Sequence, residues 1–231
     1  MGKRIIARAR GKGGPRYVAP SHRYLGKVEY LPFNNAVGKV VDIVDDVGRS
    51  AAVAIVKFDG KEILHIAPEG LSVGQTIKYN GEINVGNVVE LDKIPVGTKI
   101  CAIENYPFSG PKFCRAAGSF AVVVGKTENK VRIQFARGHE IELDKNCRAT
   151  IGIPAGGGRL EKPWIKAGQK LHAMMARNKL YPRTAGVAMN PTDHPYGGKS
   201  KRPRPSRAVS RHAPPGAKVG SISPRRMGKR K

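Results

Sequence analysis

The chain has 231 residues, with 42 Lys and Arg against 17 Asp and Glu, a formal net charge of +25, 28 glycines and 17 prolines. Its length bounds it at one or two small domains, an apolar content of 40% with 6% aromatics argues against one large core, and no apolar run approaches the ~20 residues that a membrane helix needs. The charge is partitioned, with a net of +7 in residues 1–30, +1 in residues 31–150 and +17 in residues 151–231, so a near-neutral middle able to fold on its own lies between two basic ends that must stay solvated or meet a polyanion, which points to nucleic acid.

Residues 1–34 are rich in Arg, Lys and Gly, include Pro15, Pro20 and Pro32, and show no sustained period of 2 or 3.6. They read as an extended basic arm. Tyr17, Tyr24 and Tyr30 alternate with Arg16, Arg23 and Lys27. Such rings either stack on bases while the cations meet phosphates, or anchor the arm to the folded middle. The opening Met1-Gly2-Lys3-Arg4 leads into Ile5, Ile6, Arg8 and Arg10 without a secretory apolar region, so the chain is expected in the cytoplasm.

From Val37 the texture becomes β-like. Segments 37–44, 51–58 and 61–66 carry the apolar alternation of strands. Asp59-Gly60 between the last two marks a tight hairpin turn, and Asn80-Gly81 reads as a second one. About five short strands by residue 91 suggest a small barrel. Segments 98–104, 119–125, 131–136, 139–143 and 147–153 form a second β-cluster at similar spacing, joined by turns at 126–130 and at Arg137-Gly138. The fold class is therefore mainly β, two small barrels with long basic extensions.

Residues 154–168 read as a loop. Residues 170–179 read as a short helix, with Leu171, Met174, Met175 and Asn178 on one face and Pro182 beyond it. The methionine pair is expected to serve core packing. Past Arg183 the chain is dominated by Gly, Pro, Arg, Lys and Ser, a composition that should be disordered alone in water. Proline holds such a tail extended and lowers the entropy lost on docking, and arginine forks reach phosphates in pairs. An extended basic strand of this kind fits the phosphate-lined channels of a folded RNA.

Other chemistries lack support. Cys101, Cys114 and Cys147 are odd in number and lack C-x-x-C spacing, so they read as buried reduced thiols. The six histidines show no metal-ligand spacing, and no metal site is expected. Gly198-Lys199-Ser200 imitates the end of a phosphate-binding loop, but Asp193 stands where its first glycine should be. His194 beside Asp193 is a neighbouring pair without a recognisable nucleophile motif, so the chain is not read as an enzyme.

Residues 186–198 read Gly-Val-Ala-Met-Asn-Pro-Thr-Asp-His-Pro-Tyr-Gly-Gly. They resemble the G-V-A-M-N-P-x-D-H-P-x-G-G signature of the second large-subunit ribosomal protein family, in its archaeal and eukaryotic-type branch. Asn146-Cys147-Arg148-Ala149-Thr150-Ile151-Gly152 resembles that family's N-C-R-A-T-x-G segment. The resemblance covers essentially the whole chain. Against the bacterial form, Tyr196 stands where His is usual and Lys199 where a third Gly is usual.

The resemblance implies an OB-like barrel over residues 35–91 and an SH3-like barrel over 92–168, flanked by a basic extension at 1–34 and by a short helix and extended tail at 169–231. It implies a structural protein of the large subunit that binds large-subunit rRNA, supports the peptidyl-transferase region, subunit association and tRNA binding, and is not itself a catalyst. Implied partners are that rRNA, neighbouring large-subunit proteins and a small-subunit contact across the intersubunit bridge. No cofactor is implied, and Mg²⁺ would be held mainly by RNA oxygens. His194 matches a family histidine once linked to peptide-bond formation, chemistry now assigned to RNA. The expected RNA-binding residues are Lys3, Arg4, Arg8, Arg10, Lys12, Arg16 and Arg23 in the arm, with Arg183, Asn190, His194, Lys199, Lys201, Arg202, Arg204, Arg207 and Arg211 in the tail. Two other readings carry distinct consequences: an enzyme would lose turnover on truncation of His194, and a loose nucleic-acid-binding module would wash off as salt rises.

Overall fold

Strands dominate the fold, and apolar alternation decides which face of each is buried. The computed structural model describes residues 5–33, 35–198, 208–214 and 217–224. The chain divides into two units, Pro20–Ile165 and a terminal unit that joins Met1–Ala19 to Lys166–Lys231.

In the central unit, β1 (Val37–Val44), β2 (Val53–Phe58), β3 (Lys61–Ile66) and β4 (Thr76–Lys78) form an antiparallel sheet in the order β3-β2-β1-β4. At the β2–β3 turn Asp59 has φ 34° and Gly60 has φ 87°, the two left-handed positions that a tight hairpin requires, and Phe58 pairs with Lys61 across it. Val40, Val56 and Ile77 point inward from three of these strands and are fully buried.

β5 (Val88–Glu90), β6 (Lys99–Cys101), β9 (Ala121–Lys126), β10 (Lys130–Phe135), β11 (Glu140–Asp144) and β12 (Arg148–Ile151) form a six-stranded sheet in the order β11-β10-β9-β6-β12-β5, while β7 (Ile103–Glu104) and β8 (Pro111–Phe113) pair with each other. Alternation is plain on β10, where Val131 and Ile133 are buried and Arg132 is exposed. The protein is thus mainly β, built from antiparallel sheets. Among the described residues the strand pairing leaves both larger sheets open.

Asn80-Gly81 does not make the expected second hairpin. Asn80 is left-handed at φ 53°, but Gly81 is not, and β4 leads instead into a parallel bridge between Tyr79 and Val88. Side chains from farther along the chain decide this. Asn87 Oδ1 accepts the Lys78 amide at 2.8 Å and its Nδ2 donates to the Glu82 carbonyl at 2.8 Å, while Asn80 reaches Glu90. The loop is held wide, and β5 leaves the first sheet to edge the second.

The two sheets are stitched into one unit by a buried polar seam. Val28 bridges to Leu64, and Tyr30 and Leu31 are buried, so the end of the segment read as an extended arm joins the core. The Tyr30 hydroxyl donates to the Ala102 carbonyl at 2.7 Å and lies 2.6 Å from Thr150 Oγ1, which must then be the donor of that second bond. Arg148 and Glu104, 2% and 0% exposed, form a two-pronged pair with Nη2–Oε1 at 2.9 Å and Nε–Oε2 at 3.2 Å, and Arg148 Nη1 donates to the Leu31 carbonyl at 2.6 Å. Glu104 also accepts the amides of Arg148, Phe108 and Gly110, so neither charge is buried without partners. Cys101 and Cys147 are buried and Cys114 half-buried, all as free thiols, and burial pushes the Cys114 thiol up to about 11.

In the terminal unit, the segment read as extended carries a one-and-a-half-turn helix, α1 (Ile6–Gly11). The one helix expected, over residues 170–179, is present as α2 (Ala167–Ala176), shifted toward the N-terminus. It ends in a left-handed Asn178 at φ 49°, whose amide donates to the Met175 carbonyl at 3.0 Å while the Lys179 amide donates to Met174 at 2.9 Å. Two of the carbonyls that the helix end leaves open are satisfied this way. Asn178, expected on the helix face, is therefore its stop, and its Nδ2 donates to the Val18 carbonyl at 2.8 Å. Met174 is half-buried, but Met175 is 59% exposed, so only one of the pair packs as expected. β13 (Ala208–Val209) and β14 (Ser221–Ile222) pair in parallel.

Candidate nucleic-acid interface

The loop over residues 183–198 is closed by its own backbone. It begins as a short 3-10 turn, Gly186–Ala188. The amides of Asp193 and His194 both donate to the Asn190 carbonyl, at 3.0 and 3.2 Å, and the Gly198 amide returns to the Met189 carbonyl at 3.2 Å. Two close approaches depend on missing side chains. A Cβ on Gly186 would sit 2.5 Å from the His194 ring, and one on Gly197 would sit 2.3 Å from the Asn190 carbonyl oxygen.

His194 is committed to this architecture. Its Nδ1 accepts the Tyr196 amide at 3.0 Å, which makes Nε2 the protonated nitrogen of the neutral ring. The His194 and Tyr196 rings lie 5.0 Å apart, and the Tyr196 hydroxyl donates to the Val219 carbonyl at 2.7 Å, tying the loop to the approach to β14. A histidine whose Nδ1 is occupied by its own loop is built for positioning and contact.

The loop forms one wall of a 610 Å³ pocket whose other walls come from α1 and from residues 218–222. Arg8 and Arg10 on α1, Arg183, His194 and Lys218 line it, with Asp193 as the one carboxylate among the lining residues. Cations from opposite ends of the sequence thus share one concave surface. This raises the local positive potential above that of either segment alone.

The remaining expected contacts are distributed. Asn190 is exposed, with its carbonyl used inside the loop. Lys12 caps the end of α1, and Arg16 lines a second, 180 Å³ pocket beside Tyr17 and Met175. Arg23 lies in the 3-10 turn Ser21–Arg23 of the central unit, and Arg211 is exposed past β13. Lys3, Arg4, Lys199, Lys201, Arg202, Arg204 and Arg207 lie outside the described residues. The tyrosines take separate roles: Tyr30 anchors the core, Tyr24 packs its ring over Gly48, and Tyr17 lines the smaller pocket.

Ile5, Ile6, Tyr196 and Lys218 line the larger pocket without having been singled out as contacts. The one signal for them was position, Tyr196 inside the signature and Lys218 within the tail's run of cations. The 146–152 segment is internal structure. Cys147, Arg148, Ala149 and Thr150 are buried, and Gly152 at φ 115° lies against Pro68. Among the described residues no cluster of three or more His, Cys, Asp or Glu could hold a metal, and no helix is long and apolar enough to cross a membrane.

Comparison with known proteins places these features in a family. Residues 84–218 match the family model for Ribosomal Proteins L2, C-terminal domain. The chain is 48% identical to the large ribosomal subunit protein uL2 of Archaeoglobus fulgidus, 46% to that of Methanothermobacter thermautotrophicus and 44% to that of Methanococcus aeolicus, in each case over the full length of both chains. With the matched region running through both the Arg148 seam and the closed 183–198 loop, the chain belongs to the uL2 family of large ribosomal subunit proteins.

Proposed function

We propose that this protein is a structural constituent of the large ribosomal subunit that binds large-subunit rRNA through its terminal unit, with no catalytic turnover of its own. The observation that carries this reading is the convergence of Arg8, Arg10, Arg183 and His194 on one pocket of the terminal unit. The names of its relatives and the +17 charge of residues 151–231 support it. In this reading the two larger sheets belong to the OB-like and SH3-like domains, docking by shape, while the basic side chains of residues 1–34 and 169–231 neutralise phosphates and release counterions. The basic residues outside the described set, Lys199 to Arg207 included, are expected to bind the same RNA. Any Mg²⁺ would be held by RNA oxygens. The protein would brace RNA around the peptidyl-transferase region and support tRNA binding and subunit association, touching neighbouring large-subunit proteins and, across the bridge, the small subunit.

Sedimentation tests the reading. The protein is expected to travel with large subunits and stay bound through a moderate-salt wash. His194→Ala is expected to reduce assembly or local RNA order first, leaving peptide-bond formation intact in the subunits that do assemble. Subunits of normal composition that carry the variant and make no peptide bonds would overturn it, as would release of the wild-type protein in mild salt.

A further inference from the structure

The 610 Å³ pocket of the terminal unit is more than a charged surface. Ile5, Ile6, Val187 and Val219 give it apolar lining. The His194 and Tyr196 rings stand together on one wall, 5.0 Å apart, each fixed by a hydrogen bond of its own. Among the described lining residues, Arg8, Arg10, Arg183 and Lys218 are four cations and Asp193 is the one carboxylate. Phosphate neutralisation alone needs cations on an open face. It does not need apolar lining or a pair of rings.

That combination matches a ligand with a flat apolar body and an anionic tail, and the volume falls within the ~300–1,000 Å³ of clefts that enclose such groups. Helical RNA hides its bases, but a bulged or single-stranded nucleotide can be turned out of its stack and read between rings. We infer that the pocket receives the base of one unstacked rRNA nucleotide, with its flanking phosphates on the four cations. The inference rests on the reading of this protein as an rRNA binder and specifies what that binding captures. The excess of cations and the rings favour a nucleotide over a protein segment as occupant.

The test uses the full chain bound to large-subunit rRNA, with base and 2′-hydroxyl reactivity mapped along the RNA. Val187→Trp narrows the pocket beside the rings and keeps all four cations. The expected result is that one nucleotide shielded by the wild-type protein becomes reactive with the variant. Affinity then falls about tenfold while the dependence on salt keeps its slope, because stacking is lost and phosphate contacts are not. If the variant binds and every nucleotide keeps its wild-type reactivity, the pocket inference is overturned and the broader reading stands. If the wild-type protein does not bind large-subunit rRNA at all, the broader reading falls and takes the inference with it. Should Val187→Trp fail to fold by circular dichroism, ultraviolet crosslinking of the wild-type complex decides. Crosslinks from residues 180–196 to the base of one nucleotide support the inference, and crosslinks to a neighbouring protein, or to no fixed base, overturn it.

Discussion

Gly197 has no room for a methyl group. Its added Cβ would meet the Asn190 oxygen at 2.3 Å and the Met189 oxygen at 2.5 Å, both backbone atoms that cannot swing aside. Gly197→Ala is therefore expected to open the 183–198 loop and weaken rRNA binding at least about tenfold, equivalent to about 1.4 kcal/mol. Circular dichroism of the central strands should stay unchanged, since the loop belongs to the terminal unit. His65 carries a prediction of a different kind. Burial among Tyr30, Phe58 and Tyr79 pulls its pKa down from 6.5 to about 4. Its Nε2 lies 3.0 Å from the Tyr79 hydroxyl, which also accepts the Leu31 amide. Between those two pH values the unfolded chain takes up a proton that the folded chain refuses. Stability is thus full above pH 6.5 and is lost as pH falls toward 4, by about 3 kcal/mol. Urea midpoints measured from pH 7.5 to 4.5 should show this decline. The His65→Phe variant should show a shallower one, and equal slopes would contradict the assignment.

At the scale of elements, local signals and distant partners separate cleanly. The Asp59-Gly60 turn was legible because two adjacent residues supply both left-handed positions. Asn80-Gly81 carried the same kind of signal and folded otherwise, because Asn87 and Glu90 capture the loop from residues that no turn rule inspects. The end of α2 shows the same limit: periodicity put Asn178 on a helix face, whereas its left-handed backbone ends the helix. The 146–152 segment could be matched to a family from its letters alone, but its role in the core could not, since Glu104 lies 44 residues from Arg148. Arg148→Ala would strand the buried Glu104 carboxylate without its counterion. It should cost about 3–5 kcal/mol in urea unfolding of the full chain. A loss below about 1 kcal/mol, the range of exposed pairs, would show that the pair is not closed to water.

For the whole molecule, charge partition was the readable feature. A near-neutral middle became the unit that holds both larger sheets, and the basic flanks meet in the other. That Arg8 and Arg10 would line one pocket with Arg183 and Lys218 was not readable, because the residues are more than 170 positions apart and no local pattern encodes their meeting. The apolar lining was hidden for a related reason, since Ile5 and Ile6 stand in a stretch dominated by cations. The account stands on the terminal unit being the RNA-facing part of the protein. Crosslinking within purified large subunits, mapped at residue resolution, tests this most directly. The account predicts crosslinks to rRNA concentrated at residues 5–16 and 183–211. Crosslinks confined to the six-stranded sheet, with those two segments free of RNA, would contradict it.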